Sequence, residues 1–240
     1  MPTLDRIFTY EVLSIPGGWL FIIQAMYIVI NELEKDVLRE IINIGLARAA
    51  DSFANFSHHA VLLAVPEIKI IEPHLLPDVI QEYEDTYQII RSQIAGELSG
   101  RTYLLFSEEH TEKLSEVYLS HIPKSLKPDY VAEQQALLLG ISQIITKALA
   151  DELQHLLQVK LRTATPEALY NHQQLPIAYI LQDLPKNQPF VIAVKTHFQR
   201  MVNSVQVPLV IILEAPSISK FLAIIRRDNL YNFKLLQEKV

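Results

Sequence analysis

The chain has 240 residues, of which 50% are hydrophobic, so it is long enough for one large domain or two fused halves around a substantial core. Its formal net charge of −6 argues against a nucleic-acid-binding surface and against electrostatic docking on anionic membranes, both of which need clustered Lys and Arg. It contains no cysteine, which excludes disulfides, thiolate catalysis and cysteine metal ligands and fits a cytoplasmic protein.

Residues 1–25 are interpreted as an N-terminal extension. The stretch 19–30 is almost wholly apolar, but it is shorter than the roughly 20 apolar residues of a transmembrane helix. It also lacks the basic region and the cleavage site of a signal peptide, so no membrane insertion is expected. Two alternatives stay open for the extension. It is either a poorly ordered or mis-annotated segment, with Met26 as the true start, or a strand or helix that docks on the core.

Helical periodicity predicts a long first helix over about residues 30–56. The apolar positions of this helix are Leu33, Val37, Leu38, Ile41, Ile42, Ile44, Ala49, Phe53 and Phe56. Small residues at Gly45 and nearby would let another backbone approach closely. The predicted elements that follow are a strand, a two-strand hairpin, a helix and a proline-flanked linker, over residues 60–70, 86–98 with 101–107, 108–120 and 121–128.

The same order of elements recurs after the linker. The second set is a helix capped by Asp129, a strand, a two-strand hairpin and a helix, over residues 129–157, 159–163, 189–199 with 205–213, and 217–227. An offset of 100 residues aligns the two long helices, and an insertion of about seven residues near 170–184 accounts for a larger offset further on. We therefore predict an α+β fold in a single domain, 26–240. It consists of two pseudo-repeats, about 30–120 and 128–228, which share a mostly antiparallel sheet covered by the long helices.

Three polar residues of the first helix, Asp36, Glu40 and Asn43, are spaced i, i+4, i+7 and therefore share one helix face. The equivalent residues of the second helix are Ala136, Gly140 and Gln143. Since the second helix keeps the apolar positions and loses this polar face, the polar face is not needed to build the fold. The sequence thus predicts one complete site, in the first half. Gln143 keeps a carboxamide and marks a degenerate second site.

This polar face, with Pro66 placed after Asn43 by a gap of 22 residues, resembles the signature of the CheC/CheX/FliY family of chemotaxis phosphatases. The tandem arrangement is most similar to that of CheC-type proteins. The resemblance implies a hydrolase that removes the phosphoryl group from the aspartate of a CheY-type response regulator. It implies Glu40 and Asn43 as catalytic residues, with Asp36 and Pro66 in supporting positions. It implies no cofactor of the chain's own, because the receiver domain supplies Mg²⁺.

Two functions of different classes stay open. The first is this phosphatase, and the second is a non-catalytic adaptor or motor-switch-like module that binds receivers or a CheD-type deamidase. FliM-type switch proteins resemble the scaffold but lack the Glu–Asn pair, so Glu40 and Asn43 favour the enzyme. A merely solvated helix face would explain the same residues without any function. Glu152 and His155 have metal-ligand spacing, but a di-iron bundle needs two such pairs, so no metal site is expected.

Overall fold

The computed structural model describes residues 13–15, 18–20, 28, 30–57, 62–80, 87–119, 127–169, 176–185, 188–199 and 204–231. The helices are α1 (Glu32–Ser57), α2 (Leu76–Val79), α3 (Glu108–Tyr118), α4 (Lys127–Leu157), α5 (Pro176–Gln182) and α6 (Ala215–Asp228), with a 3₁₀ turn over Pro73–Leu75. The strands are β1 (Leu13–Ile15), β2 (Gly18–Leu20), β3 (Leu62–Ile71), β4 (Tyr87–Gly96), β5 (Gly100–Ser107), β6 (Leu161–Thr163), β7 (Glu167–Leu169), β8 (Val191–Gln199) and β9 (Ser204–Leu213).

Strands β3 to β9 form one seven-stranded sheet in the order β3-β8-β9-β5-β4-β6, with β7 also paired to β4. Every pairing in it is antiparallel. The first strand of each half pairs with the hairpin of the other half, because β3 pairs with β8 and β6 and β7 pair with β4. The predicted shared antiparallel sheet and α+β class are therefore confirmed. This exchange of strands joins the two halves into one sheet.

Helices cover both faces of the sheet. Alternate residues of a strand point to opposite faces, and in β5 Leu104 and Phe106 belong to one core cluster while Tyr103 and Leu105 belong to another. The first cluster contains the buried faces of α1, α3, α4 and α6, as predicted for the long helices. The second is closed by α2 and α5, of which Ile180 is fully buried. Helix α5 was not predicted, and it lies in the segment that the sequence indicated as an insertion.

The salt bridges of Asp183 hold the segment after α5 to the sheet. Its Oδ2 lies 2.8 Å from Nη1 of Arg101 and 3.2 Å from Nη1 of Arg91, and it accepts a short hydrogen bond from the hydroxyl of Tyr103. Burial by itself raises the pKa of Asp183, but the hydrogen bonds from Tyr103 and Arg101 outweigh burial and lower the pKa below its ordinary value. The ionised carboxylate is thus the form that this network stabilises.

Burial supports the offset of 100 residues between the long helices. Equivalent apolar residues are buried in both halves: Val37 and Leu137, Leu38 and Leu138, Ile41 and Ile141. Leu33 differs from its predicted place on the apolar face, because it is 60% exposed. The side chains of Phe53 and Phe56 lie outside the described residues.

Pro66 and Pro166 occupy equivalent irregularities in the sheet. In β3, Val65 and Pro66 together oppose the single residue Thr196 of β8, which is a β-bulge. Pro166 is buried between β6 and β7, where the ladder on β4 is interrupted. Proline has no backbone N–H to donate, so it is tolerated at bulges and edge strands, and β3 and β6 stand at the two ends of the sheet.

The N-terminal extension contains the strands β1 and β2, which pair with one another apart from the main sheet. The rest of residues 1–25 lies outside the described residues, as do residues 121–126 of the predicted linker. Helix α4 begins at Lys127, so the prediction of an N-cap at Asp129 is wrong. Pro128 instead falls in the first turn, where its missing N–H costs no helical hydrogen bond. Within the described helices, none has the length and apolarity needed to cross a membrane.

Candidate active site

The first turn of α1 is fixed by a reciprocal capping box. Oδ1 of Asn31 accepts a hydrogen bond from the backbone N–H of Glu34, and Oε2 of Glu34 accepts one from the backbone N–H of Asn31, each at 2.9 Å. Glu34 is fully buried, and its Oε1 also accepts from Nε of Arg226 on α6 at 2.6 Å. The start of α1 is thus tied to the last turn of α6, immediately before Asp36.

The predicted polar residues lie together on the outer face of α1. Asp36 and Asn43 are exposed and Glu40 is half-buried. The inner face of the helix is buried through Val37, Leu38, Ile41, Ile42, Leu46 and Ala49. Because one face is packed into the core, the backbone beneath the polar residues is held in place. The structure therefore brings Asp36, Glu40 and Asn43 together on a rigid support.

Asp36 differs from the other two in having a partner, since its Oδ1 accepts a hydrogen bond from Nη1 of Arg39 at 2.5 Å. Within the part of the chain that the structure describes, the side chains of Glu40 and Asn43 make no hydrogen bond or ion pair. A carboxylate can accept hydrogen bonds or pair with a cation, and a carboxamide can donate and accept at once. Three residues of helix separate them by a rise of about 4.5 Å, so both can contact one bound group.

Pro66 does not lie on this helix face. It belongs to β3, which contacts α1, and it stands at the bulge opposite Thr196. Its side chain lies outside the described residues.

Two contacts join α1 to α4, and the sequence did not identify the partner in either of them. A Cβ built on Gly45 would lie 3.0 Å from Cδ2 and 3.2 Å from Cα of Leu149, so Gly45 permits the close approach that its small size suggested. One turn on, Nε of Arg48 lies 2.9 Å from Oε2 of Glu152. The sequence gives little indication of this second contact, because no local spacing links an Arg on one helix to a Glu on another.

Glu152 is a buried carboxylate with an unusual environment. Its side chain is fully buried, and among the described residues neither of its oxygens accepts a hydrogen bond of ordinary geometry. Burial raises its pKa above the ordinary value, and the nearby guanidinium of Arg48 opposes this shift. Among the described residues no group of three or more His, Asp and Glu side chains could hold a metal ion. The contact of Glu152 with Arg48 joins α4 to α1.

The second half offers a reduced version of the outer face. Gln143 and Ala136 are exposed, and a Cβ built on Gly140 would meet no atom within 4 Å. The buried side of α4 is more polar than that of α1, with hydroxyl pairs between Ser142 and Ser92 at 3.0 Å and between Thr146 and Thr102 at 2.7 Å. Gly140 is equivalent to Glu40, and the open space around it shows that packing does not exclude a side chain at this position.

No model of a known protein family matches the sequence. Solved structures match the fold over nearly their whole length. The FliY structure from Thermotoga maritima is 14% identical, with a TM-score of 0.61, and the match covers 83% of this chain and 99% of that chain. For the FliM middle domain from H. pylori the identity is 10%, the TM-score 0.55 and the coverage 81% and 99%. The chemotaxis protein CheX from Desulfovibrio desulfuricans is 12% identical, with a TM-score of 0.50, and the match covers 73% of this chain and 99% of that chain.

These likenesses show the fold of the chain. The chain has the α+β fold that CheX, FliY and the FliM middle domain share. The resemblance to CheC/CheX/FliY proteins that Asp36, Glu40, Asn43 and Pro66 indicated is thereby confirmed at the level of the fold.

Proposed function

We propose that the chain is a CheC-like phosphatase that hydrolyses the aspartyl phosphate of a CheY-type response regulator. The observation that carries the proposal is the pair Glu40 and Asn43, one turn apart on the outer face of a helix whose inner face is buried. Neither side chain has a hydrogen-bond or ion-pair partner among the described residues. The shared fold with CheX and FliY supports it. Under this proposal the protein acts in chemotactic two-component signalling in the cytoplasm.

Hydrolysis of an aspartyl phosphate requires little covalent chemistry from the protein. The oxygen of a water attacks phosphorus, the bond from phosphorus to the aspartate oxygen breaks, and inorganic phosphate and a free carboxylate result. Positioning and charge stabilisation supply the rate. Asn43 would orient the water in line, since its carboxamide can donate and accept without changing its own protonation. Glu40 would pair with a lysine of the receiver and fix the helix against it, and the receiver would supply Mg²⁺.

The supporting residues have different roles in this proposal. The carboxylate of Asp36 is paired with Arg39 and is therefore less available than Glu40 to a partner's cation. Pro66 would act through the bulge of β3 and the packing of that strand beside α1. Gln143 would mark a second site that retains the carboxamide and lacks the acid.

A phosphate-release assay tests the proposal. Each CheY-type receiver of the same genome is phosphorylated, and the decay of its phosphate is followed with and without the protein. Asn43→Ala should reduce stimulated release by about 100-fold, the order of the loss when a reacting group is misplaced. Gln143→Ala makes a comparable truncation at the equivalent exposed position and measures what the second site contributes. The proposal fails if the wild-type protein accelerates the decay of none of these receivers.

A non-catalytic adaptor is the second candidate. The observation that favours it is the likeness to the FliM middle domain, and the H. pylori FliM in a FliG–FliM complex matches this chain with a TM-score of 0.52. In that role the chain would bind a receiver, a CheD-type deamidase or a motor protein. Capture of purified receiver or deamidase that persists in Asn43→Ala, together with no stimulated phosphate release by the wild type, would favour the adaptor.

A further inference from the structure

Leu33 is an apolar side chain on the outer face of α1. Among the described residues, the large hydrophobic side chains that are exposed are Leu33, Leu75 and Val131, and Leu33 is 60% exposed. The steps from Leu33 to Asp36, Glu40 and Asn43 are three, four and three residues, so the four side chains follow one face of the helix. The exposed leucine is therefore continuous with the proposed catalytic pair.

The charges beside Leu33 neutralise one another. Nζ of Lys35 lies 3.0 Å from Oε1 of Glu32, and Nη1 of Arg39 lies 2.5 Å from Oδ1 of Asp36. Each charge thus already has an opposite partner next to it. A partner that covers Leu33 would therefore remove apolar surface from water without leaving one of these charges unpaired.

Leu33 also stands on a fixed turn of backbone. The capping box of Asn31 and Glu34 closes this turn, and Arg226 ties the buried Glu34 to α6. A side chain presented on a rigid support loses less conformational freedom when a partner covers it. The outward position of Leu33 is thus built into the fold and does not result from a frayed helix end.

We propose that Leu33 is the apolar anchor through which the protein binds the receiver domain of its substrate. This inference rests on the proposed function. The helix rise places Leu33 about 10 Å along the axis from Glu40 and about 15 Å from Asn43. A span of this size fits the surface of a folded domain and exceeds the reach of a small acyl phosphate. The receiver therefore carries an apolar patch at that distance from its phosphorylated aspartate. Leu33 contributes to binding in the ground state and the transition state alike.

Two measurements on the same variants test this inference. The first is the dissociation constant for each CheY-type receiver of the same genome, activated with beryllofluoride and Mg²⁺. The second is the steady-state rate of phosphate release from the phosphorylated receiver. Leu33→Ala should raise the dissociation constant and KM by about 10-fold, the loss expected for truncating an interface anchor, and leave kcat within about 2-fold. Val131→Ala is the matched control, because Val131 is 61% exposed in the first turns of α4.

The outcomes separate this inference from the proposed function. Unchanged binding and KM in Leu33→Ala, with normal release by the wild type, overturn the anchor and leave the phosphatase standing. Equal losses in Leu33→Ala and Val131→Ala also overturn the anchor, because they show a general surface effect. Leu33-dependent binding without any phosphate release by the wild type supports the anchor and overturns the phosphatase. Circular dichroism and thermal unfolding of each variant confirm that the fold is intact.

Discussion

Gly45 of α1 lies against Leu149 of α4 so closely that a methyl group at Gly45 would come within 3.2 Å of the Leu149 Cα atom. Such a distance is shorter than ordinary van der Waals contact. This glycine lies two residues after Asn43, so a tight contact between the two long helices is adjacent to the proposed catalytic amide.

Replacing Gly45 with alanine should separate the helices locally. Overpacking of this kind costs about 1–3 kcal/mol, whereas alanine in place of glycine in an open helix position gains about 0.5–1 kcal/mol. Gly140→Ala is the matched control, because a Cβ there would meet no atom within 4 Å. Urea unfolding should show Gly140→Ala more stable than the wild type and Gly45→Ala clearly less stable than Gly140→Ala. Equal unfolding free energies for the two variants would contradict the close contact.

The buried Glu152 should make stability depend on pH in an unusual direction. Its pKa is raised by burial, so the fold favours the protonated acid over the carboxylate. The stabilisation from this group is complete below its ordinary pKa and is lost as pH rises through the raised pKa. Glu152→Gln stays neutral throughout. The unfolding free energy of the wild type relative to this variant should therefore fall as pH rises from below 4.5 through the raised pKa of Glu152.

Denaturant unfolding of both proteins at several pH values measures this difference. Asp151→Asn is a suitable control, because Asp151 is exposed and its Oδ2 pairs with Nζ of Lys147 at 2.7 Å on the surface of α4. An exposed pair of this kind contributes about 0–1 kcal/mol, so the control should show little change. A wild-type advantage over Glu152→Gln that stays constant or grows with pH would show that the carboxylate is the favoured form.

Much of the fold could be predicted from the sequence because buried apolar residues recur at the period of the helix or strand that contains them. The apolar positions of α1 recur in α4 at an offset of 100 residues, since both helices cover the same sheet with the same side. The strands of both hairpins could be predicted because the same order of elements recurs in the two halves. Helix α5 was missed because it is short and lies in a segment with no counterpart of equal length in the first half. Its anchor, Asp183, pairs with arginines of β4 and β5 that are distant in the sequence.

The candidate site could be predicted because its residues lie where packing does not determine the residue type. Asp36, Glu40 and Asn43 lie on the side of the helix that packing does not constrain, so their spacing stands out against the second half. Leu33 could not be placed correctly, because apolar periodicity cannot distinguish a leucine at the edge of the buried face from one inside it. The pair of Arg48 and Glu152 could not be found either, since its partners come from different helices and no local spacing links them.

The two acids on the outer face should contribute unequally to phosphate release. Glu40 has no partner within the described structure, whereas Asp36 is paired with Arg39. Glu40→Gln should therefore lower kcat/KM by about 10-fold to 100-fold, the order expected for losing a charge-assisted contact. Asp36→Asn keeps the size and exposure of its side chain and should change kcat/KM by less than about 3-fold, consistent with a surface pair. Steady-state phosphate release measures both, and equal losses would show that Asp36 also contacts the receiver.

The second half offers a test of whether the acid and the amide are sufficient on this scaffold. In the inactive Asn43→Ala background, Gly140→Glu with Gln143→Asn would recreate the pair on the exposed face of α4. The acid has room, because a Cβ at Gly140 meets no atom within 4 Å, and replacing glycine also favours the helix. We expect phosphate release about 10-fold above the Asn43→Ala background, with a high KM because the exposed Glu133 stands where α1 has Leu33.

The control for this transfer is Gly140→Ala with Gln143→Asn, which has the same amide and the same gain in helix propensity without the acid. Release should stay at the background level in that variant, because nothing pairs with the receiver lysine. Recovery in both variants would mean that the amide alone suffices. A folded Gly140→Glu, Gln143→Asn protein that shows no recovery would mean that surroundings specific to α1, such as Leu33 and the Asp36–Arg39 pair, are required in addition to Glu40 and Asn43.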